Sequence, residues 1–134
     1  IAGSDKKSLK QVSDFFNSDF FKIFLSNDTK GIEMAGALKN LYAICSGLSD
    51  GLGFESNTKA MLLTRSLSEM SELFKKINAN PLTLLGLSGV GDLIATSSSE
   101  KSRNYSFGKF LGKGNSPSKA LSMVKQSVEG HRTH

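Results

Sequence analysis

The chain has 134 residues, of which 38% are hydrophobic and 22% are charged, and its formal net charge is +5. This length suits one domain, or one domain with part of another, and the apolar fraction excludes an intrinsically disordered chain. No apolar run approaches the roughly 20 residues that a membrane-spanning helix needs, so no membrane insertion is expected. The single cysteine, Cys45, allows no internal disulfide, which favours a reducing compartment and a cytoplasmic protein.

The basic residues are concentrated in one part of the chain. Residues 101–134 contain seven lysines and arginines against one acidic residue, Glu129. A positive field there would attract an anion such as a phosphate ester, a dinucleotide or a nucleic acid. A solvated basic surface without a ligand explains the same composition equally well.

The first residues predict the end of an α/β unit. Residues 1–3 look like the end of a strand, and residues 5–16 carry apolar side chains at helical spacing after a cap at Ser4. Residues 20–25 form a short aromatic and β-branched run that is typical of a strand. We therefore predict a domain boundary near Asn27.

The remainder of the chain predicts helices, with a glycine-rich turn at residues 88–92. The expected fold is thus mainly α, with a helical domain at 28–134 after an α/β remnant at 1–27. The predicted helices cover residues 29–50, 57–77, 80–87, 103–111 and 117–125.

The first long helix has a stripe that is almost without side chains. Gly36, Ala43 and Gly47 lie at helical spacing around Lys39 and Asn40. Glycine inside a helix lowers its stability by about 1 kcal/mol relative to alanine, so we expect that the space is needed for a contact. Either a second helix approaches closely, or a ligand lies against Lys39 and Asn40. A lysine ammonium can polarise a carbonyl or exchange a proton with it.

The segment Gly89-Val-Gly-Asp-Leu-Ile-Ala-Thr96 holds the second candidate. Its glycines allow a sharp turn or a close approach to a ligand, and Asp92 could then orient Lys39. An aspartate beside glycines is also common as a simple turn residue or helix cap. The segment lacks the strand and the full spacing of a dinucleotide-binding loop.

Ser102, Arg103 and Asn104 stand at a predicted helix start, which is the third candidate. Free backbone N–H groups at such a start favour an anion, and an arginine can hold two phosphate oxygens. The alternative is ordinary capping by Ser102 beside a solvent-exposed arginine.

Together these residues resemble the bacterial form of the NAD(P)-dependent glycerol-3-phosphate dehydrogenase family. The similarity covers nearly the whole chain in the same order, which makes it more specific than any one motif. The matching segments are 31–40, 47–53, 57–60, 89–94, 102–104, 107–108 and 128–130.

The resemblance implies an oxidoreductase that interconverts dihydroxyacetone phosphate and sn-glycerol 3-phosphate with NAD or NADP and supplies phospholipid synthesis. It implies that Lys39 accepts the proton in oxidation and donates it in reduction, and that Arg103 contacts both ligands. The matching site residues are Lys39, Asn40, Asp92, Thr96, Ser102, Arg103 and Asn104 for the substrate, and Arg103, Ser127 and Glu129 for the cofactor.

The family's nucleotide-binding half and its last helices have no counterpart in this sequence, so the fragment alone is expected to be inactive. The cofactor would bind mainly to that missing half. A homodimer is possible, and no metal site is expected.

A competing hypothesis from another functional class is a non-catalytic basic helical module that binds nucleic acid or a protein partner. A module for single strands needs aromatic side chains between the basic ones. Only Tyr105, Phe107 and Phe110 are available within 101–134. We therefore expect no nucleic-acid partner.

Overall fold

The structure, a computed structural model, describes residues 1–130, and it describes side chains as far as Lys125. Within these residues the fold is helical, and none of the helices is long and apolar enough to cross a membrane. A short 3-10 helix (Pro81–Leu85) and a π-helical segment (Leu87–Gly91) connect the third α-helix to the fourth. The α-helices are α1 (Lys6–Phe16), α2 (Thr29–Gly51), α3 (Ser56–Lys76), α4 (Asp92–Ser97), α5 (Arg103–Gly112) and α6 (Pro117–Gly130).

The first residues form a helix but no sheet. Asp5, rather than the predicted Ser4, caps α1, because its carboxylate accepts hydrogen bonds from the next turn's N–H groups. The strand predicted at residues 20–25 is wrong: among the described residues, the chain makes only an isolated parallel bridge between Ala2 and Ser26. A strand needs a neighbour along its length, and residues 20–25 have none here.

The core lies where α2 and α3 meet α4 and the 3-10 helix. The predicted helical spacing of both long helices is confirmed for most of their inner positions. Leu48 and Ala60 are exceptions, since both are exposed. The buried core residues are Ala35, Tyr42, Met70, Phe74, Ala79, Leu84 and Leu93.

Helices α2 and α5 touch backbone to backbone. A Cβ atom added at Gly47 would lie 1.9 Å from the carbonyl oxygen of Tyr105, and one at Gly108 would lie 2.0 Å from that of Ile44. Gly51 and Gly112 make a similar contact one turn further along. Only glycine permits this approach, so helix packing explains the C-terminal part of the small-residue stripe of α2.

Gly36 differs from the other glycines of that stripe. A Cβ added there would meet no atom within 4 Å among the described residues. Its surroundings are open, on the helix turn that precedes Lys39 and Asn40. The two explanations considered from the sequence thus separate along one helix, with packing at Gly47 and open space at Gly36.

The glycine-rich turn predicted at residues 88–92 is wrong. Residues 87–91 form a π-helical segment that runs directly into α4, and Asp92 is the first residue of that helix. A Cβ at Gly89 would lie 2.3 Å from the Leu84 carbonyl oxygen. The glycine is therefore required by contact with the 3-10 helix and not by a turn.

Candidate active site

Helices α2 and α4 bring Lys39 and Asp92 together in an ion pair. The Lys39 ammonium donates a hydrogen bond to Oδ2 of Asp92. The other carboxylate oxygen accepts a hydrogen bond from Thr96 Oγ1 at 3.2 Å. Both oxygens of Asp92 are therefore engaged, which holds the carboxylate, and with it the ammonium, in one orientation.

The ion pair is only partly shielded from solvent. The Lys39 side chain is 25% exposed and that of Asp92 is 38% exposed. A substrate atom can thus reach the ammonium, which is a requirement for proton exchange.

Short α4 is fixed to α2 at both of its ends. Leu93 follows Asp92 and is fully buried in the core. At the other end, buried Ser46 donates a hydrogen bond from Oγ to the carbonyl oxygen of Ser97 at 2.8 Å. These anchors determine where Asp92 and Thr96 stand relative to Lys39.

Helix α5 adds the third part of the site. Asn104 Nδ2 donates to Asn40 Oδ1 at 2.8 Å, and Asn40 Nδ2 donates to the Gly36 carbonyl oxygen at 3.2 Å. Asn40 follows Lys39 on α2, so this hydrogen bond places the first turn of α5 beside the part of α2 that carries Gly36 and Lys39.

The first turn of α5 has the features of an anion site. Ser102 caps the helix as predicted, with its Oγ accepting from the Tyr105 N–H at 3.3 Å. Arg103 is exposed, and among the described residues it has no ion-pair partner. An unpaired guanidinium beside the positive end of a helix dipole favours a phosphate group.

The structure therefore joins these predicted residues in two hydrogen-bonded groups, Lys39 with Asp92 and Thr96, and Asn40 with Asn104. The two groups adjoin because Lys39 and Asn40 are consecutive. Arg103 is adjacent in sequence to Asn104, and Ser102 serves the cap. Their chemical roles stay predictions. The side chains of Ser127 and Glu129, predicted to contact a cofactor, lie outside the described residues.

Sequence reasoning missed one cluster next to the site. Tyr105, the residue after Asn104, donates a hydrogen bond through its hydroxyl to Asp50, and Lys59 pairs with the same carboxylate. Lys59 lies within a segment that matches the family, but the sequence gave no indication that Asp50, which is 9 positions from Lys59, would also bind Tyr105, which is 55 positions from Asp50. A tyrosine in the first turn of a helix is an ordinary core residue, so no sequence signal distinguished it.

Comparison with known proteins gives a consistent result. A sequence model of the family described as NAD-dependent glycerol-3-phosphate dehydrogenase C-terminus matches residues 28–134. The chain is 50% identical over 133 residues to glycerol-3-phosphate dehydrogenase [NAD(P)+] of Pelotomaculum thermopropionicum, covering 99% of this chain and 38% of the relative. It is 52% identical over 124 residues to the protein of the same name from Oceanobacillus iheyensis, covering 92% of this chain and 36% of the relative.

Solved structures agree with the sequence comparison. The crystal structure of glycerol-3-phosphate dehydrogenase from Coxiella burnetii superposes with a TM-score of 0.90 at 36% identity, covering 98% of this chain and 40% of that one. The structure named DsGPDH of Dunaliella salina gives a TM-score of 0.81 at 31% identity, covering 90% of this chain and 24% of that one. The chain thus spans well under half the length of the proteins that it matches.

Proposed function

The chain belongs to the NAD-dependent glycerol-3-phosphate dehydrogenase family, and we propose that it forms the substrate-binding part of an enzyme that interconverts dihydroxyacetone phosphate and sn-glycerol 3-phosphate. The cofactor of that family is NAD or NADP. Since the chain spans 38% of the first relative's length, the activity is proposed for the full-length dehydrogenase, meaning the longer protein that would carry this chain. The chain by itself is expected to be inactive.

The observation that carries the proposal is the ion pair between Lys39 and Asp92 in a site open to solvent. Reduction of a ketone places negative charge on its oxygen as hydride arrives at the carbon. An ammonium held beside that oxygen stabilises the developing charge and can neutralise it by giving up a proton.

Lys39 Nζ is the proton donor in reduction. The proton passes from Nζ to the former carbonyl oxygen, which becomes a hydroxyl group, and Lys39 then recovers a proton from water. In oxidation the same nitrogen, in its neutral form, takes the hydroxyl proton. Asp92 orients Nζ throughout, and Thr96 holds Asp92.

The phosphate of the substrate binds at the first turn of α5. Arg103 supplies the charge, and Asn104 supplies a side-chain amide that is already directed towards Asn40. Holding the phosphate there fixes the distance between the ketone and Lys39. The binding energy of the phosphate is thereby used to orient the reacting group.

A bound NADH or NADPH supplies the hydride. Among the described side chains, the exposed guanidinium of Arg103 fits the cofactor's anionic groups, since it has no ion-pair partner there. Contacts of Ser127 and Glu129 with the cofactor are part of the same proposal and rest on the resemblance alone.

The test follows nicotinamide absorbance in the full-length dehydrogenase with dihydroxyacetone phosphate and either cofactor. Wild type is compared with Lys39→Met, which keeps an unbranched, helix-compatible side chain and removes the ammonium. Lys30→Met is the matched control, because Lys30 is an exposed lysine of the same helix. Turnover should disappear in Lys39→Met and persist in Lys30→Met, with equal helical content by circular dichroism. If the folded wild type shows no turnover with either cofactor, the proposed enzymatic function is refuted.

The competing function is a basic module for nucleic acid. We propose that the full-length dehydrogenase has no nucleic-acid partner, and the paired Lys39 and Asp92 support an enzyme site instead. Binding to generic duplex DNA should vanish at moderate salt while binding of sn-glycerol 3-phosphate persists. Retained DNA binding with no phosphate-ester binding would favour the module.

Three finer points belong to the same proposal. The single cysteine supports a cytoplasmic location. Exposed Leu52 and Phe54 support a homodimer, and sedimentation of the full-length dehydrogenase at several concentrations tests it. The start of α2 after Asp28 supports the division of the chain into 1–27 and 28–134.

A further inference from the structure

A three-residue cluster, formed by Asp50, Lys59 and Tyr105, joins three helices behind the candidate active site. Tyr105, in the first turn of α5, is 4% exposed, and its hydroxyl donates to Oδ2 of Asp50 near the end of α2. Lys59, in the first turns of α3, donates to the same oxygen at 2.5 Å. Its ammonium lies 5.3 Å from the centre of the Tyr105 ring, within the range of a cation–π interaction.

The charge states of this cluster favour a strong hydrogen bond. Burial raises the pKa of Tyr105, and the neighbouring Asp50 carboxylate raises it further, so the hydroxyl keeps its proton and donates it. Burial also raises the pKa of Asp50, but the hydrogen bonds from Lys59 and Tyr105 outweigh this and leave that pKa below its ordinary value. A neutral donor therefore faces an ionised acceptor, which gives a stronger bond than two neutral groups.

The cluster adds a directional hydrogen bond between α2 and α5, which the glycine contact does not contain. The contact of Gly47 and Gly51 with Gly108 and Gly112 brings the main chains of α2 and α5 together, but these glycines have no side chains to fix one helix along the other. The Tyr105–Asp50 bond is directional. It determines where the first turn of α5 lies along α2.

We propose that Tyr105, Asp50 and Lys59 are positioning residues for the reaction, and that they hold the first turn of α5 so that Arg103 and Asn104 face Lys39. The inference rests on the proposed function. Asn104 and Tyr105 are consecutive, and α2 carries Lys39, Asn40 and Asp50. Displacing Tyr105 therefore displaces the phosphate-binding residues relative to the proton donor.

The decisive variant is Tyr105→Phe in the full-length dehydrogenase. It keeps the ring, its burial and the glycine contact, and it removes only the hydroxyl. Because the loosened residues bind the phosphate, KM for dihydroxyacetone phosphate should rise about tenfold. The Lys39–Asp92 ion pair is untouched, so kcat should stay within about twofold and its pH profile should be unchanged.

Tyr42→Phe is the matched control. Tyr42 is 8% exposed, lies on α2 and donates its hydroxyl to Glu69 Oε2 at 3.3 Å, so the same chemical group is removed from a second tyrosine–carboxylate pair. This variant should leave both KM and kcat at wild-type values. Equal KM values in the two variants, or a loss confined to kcat in Tyr105→Phe, would overturn the positioning role.

A binding measurement separates this inference from the proposed function. Calorimetric affinity for inorganic phosphate needs no turnover, and it should fall in Tyr105→Phe but not in Tyr42→Phe. If the wild type shows no dehydrogenase activity, the proposed function fails, and the phosphate affinities still decide whether the cluster positions Arg103 and Asn104. Unchanged phosphate affinity in Tyr105→Phe refutes it, whether or not the enzyme is active.

Discussion

Lys39 and Asp92 are 53 positions apart in the sequence, and the ammonium of the first donates a hydrogen bond to the carboxylate of the second. The contact depends on two independent anchors, because Asp92 begins a helix whose next residue, Leu93, is buried in the core. Lys39 is followed by Asn40, whose side chain accepts a hydrogen bond from Asn104 of α5. The pair therefore connects Lys39, the proposed proton donor, to helices α4 and α5.

Asp92→Asn should lower kcat about a hundredfold in the full-length dehydrogenase. The amide can still accept a hydrogen bond from Lys39, but it is no longer a charged acceptor, so the ammonium is held less firmly. Because the ammonium would be less well oriented towards the ketone oxygen, the loss should fall on kcat rather than on KM. Measuring kcat and KM for dihydroxyacetone phosphate tests this, with Asp14→Asn, a change in an exposed ion pair of α1, as control. An unchanged kcat would remove Asp92 from the proton transfer.

Arg103→Ala should raise KM for dihydroxyacetone phosphate by about tenfold to a hundredfold, since a charged hydrogen bond to phosphate is lost. The thermal unfolding midpoint should hardly change, because the side chain is exposed and has no ion-pair partner among the described residues. Arg65→Ala, an exposed arginine of α3, is the control and should alter neither quantity. Parallel losses of affinity and stability would argue for a structural role of Arg103.

Gly47→Ala and Gly36→Ala should change the thermal unfolding midpoint in opposite directions. The new Cβ at residue 47 would overlap the Tyr105 carbonyl oxygen, which would force α2 and α5 apart at a cost of about 2 kcal/mol. At residue 36 no described atom lies within 4 Å, and alanine is the better helix former by about 1 kcal/mol. Differential scanning calorimetry of both variants measures the contrast. If both variants lost stability to a similar extent, the close α2–α5 contact at Gly47 would not explain the loss.

Asp28→Asn should lower the stability at neutral pH, and the difference from wild type should disappear in acid. Partial burial raises the pKa of Asp28, but hydrogen bonds from Thr83, Gly31 and Asn80 outweigh it and hold the pKa below its ordinary value of 3.8. Because the folded-state pKa of Asp28 is lowered, its ionised carboxylate stabilises the folded protein. This contribution is complete at pH values above the ordinary pKa. The contribution is lost as the pH falls through the folded-state pKa.

Unfolding midpoints of wild type and Asp28→Asn between pH 7 and pH 3 test this dependence. Asp14→Asn, on the exposed face of α1, serves as the reference for a carboxylate without such contacts to backbone N–H groups. A difference between wild type and Asp28→Asn that stays constant down to pH 3 would show that the charge of Asp28 contributes nothing.

The sequence predicted the long helices well because their apolar spacing is a local property. Leu63, Leu67 and Met70 recur along α3, and burial of that stripe requires no knowledge of the partner. Ser102 was predicted as a cap for the same local reason. The contact between Asn40 and Asn104 depends on how two helices cross, which no spacing within one helix encodes.

The wrong predictions share a physical cause. Gly89 looked like a turn residue, yet it is a glycine because the Leu84 backbone lies against it. Residues 20–25 have strand-forming side chains, but strand formation depends on a neighbouring strand that the described residues do not provide. In both segments the deciding interaction comes from elsewhere in space, while propensity describes only the chain itself.

The glycine contact between α2 and α5 has a consequence for how this chain tolerates substitution. Because main-chain atoms meet there, the separation of the two helix axes is set by peptide dimensions and not by the size of any side chain. Substitutions on the outer faces of either helix can accumulate without altering that spacing. The separation of α2 from the first turn of α5 is thereby independent of substitutions on those outer faces.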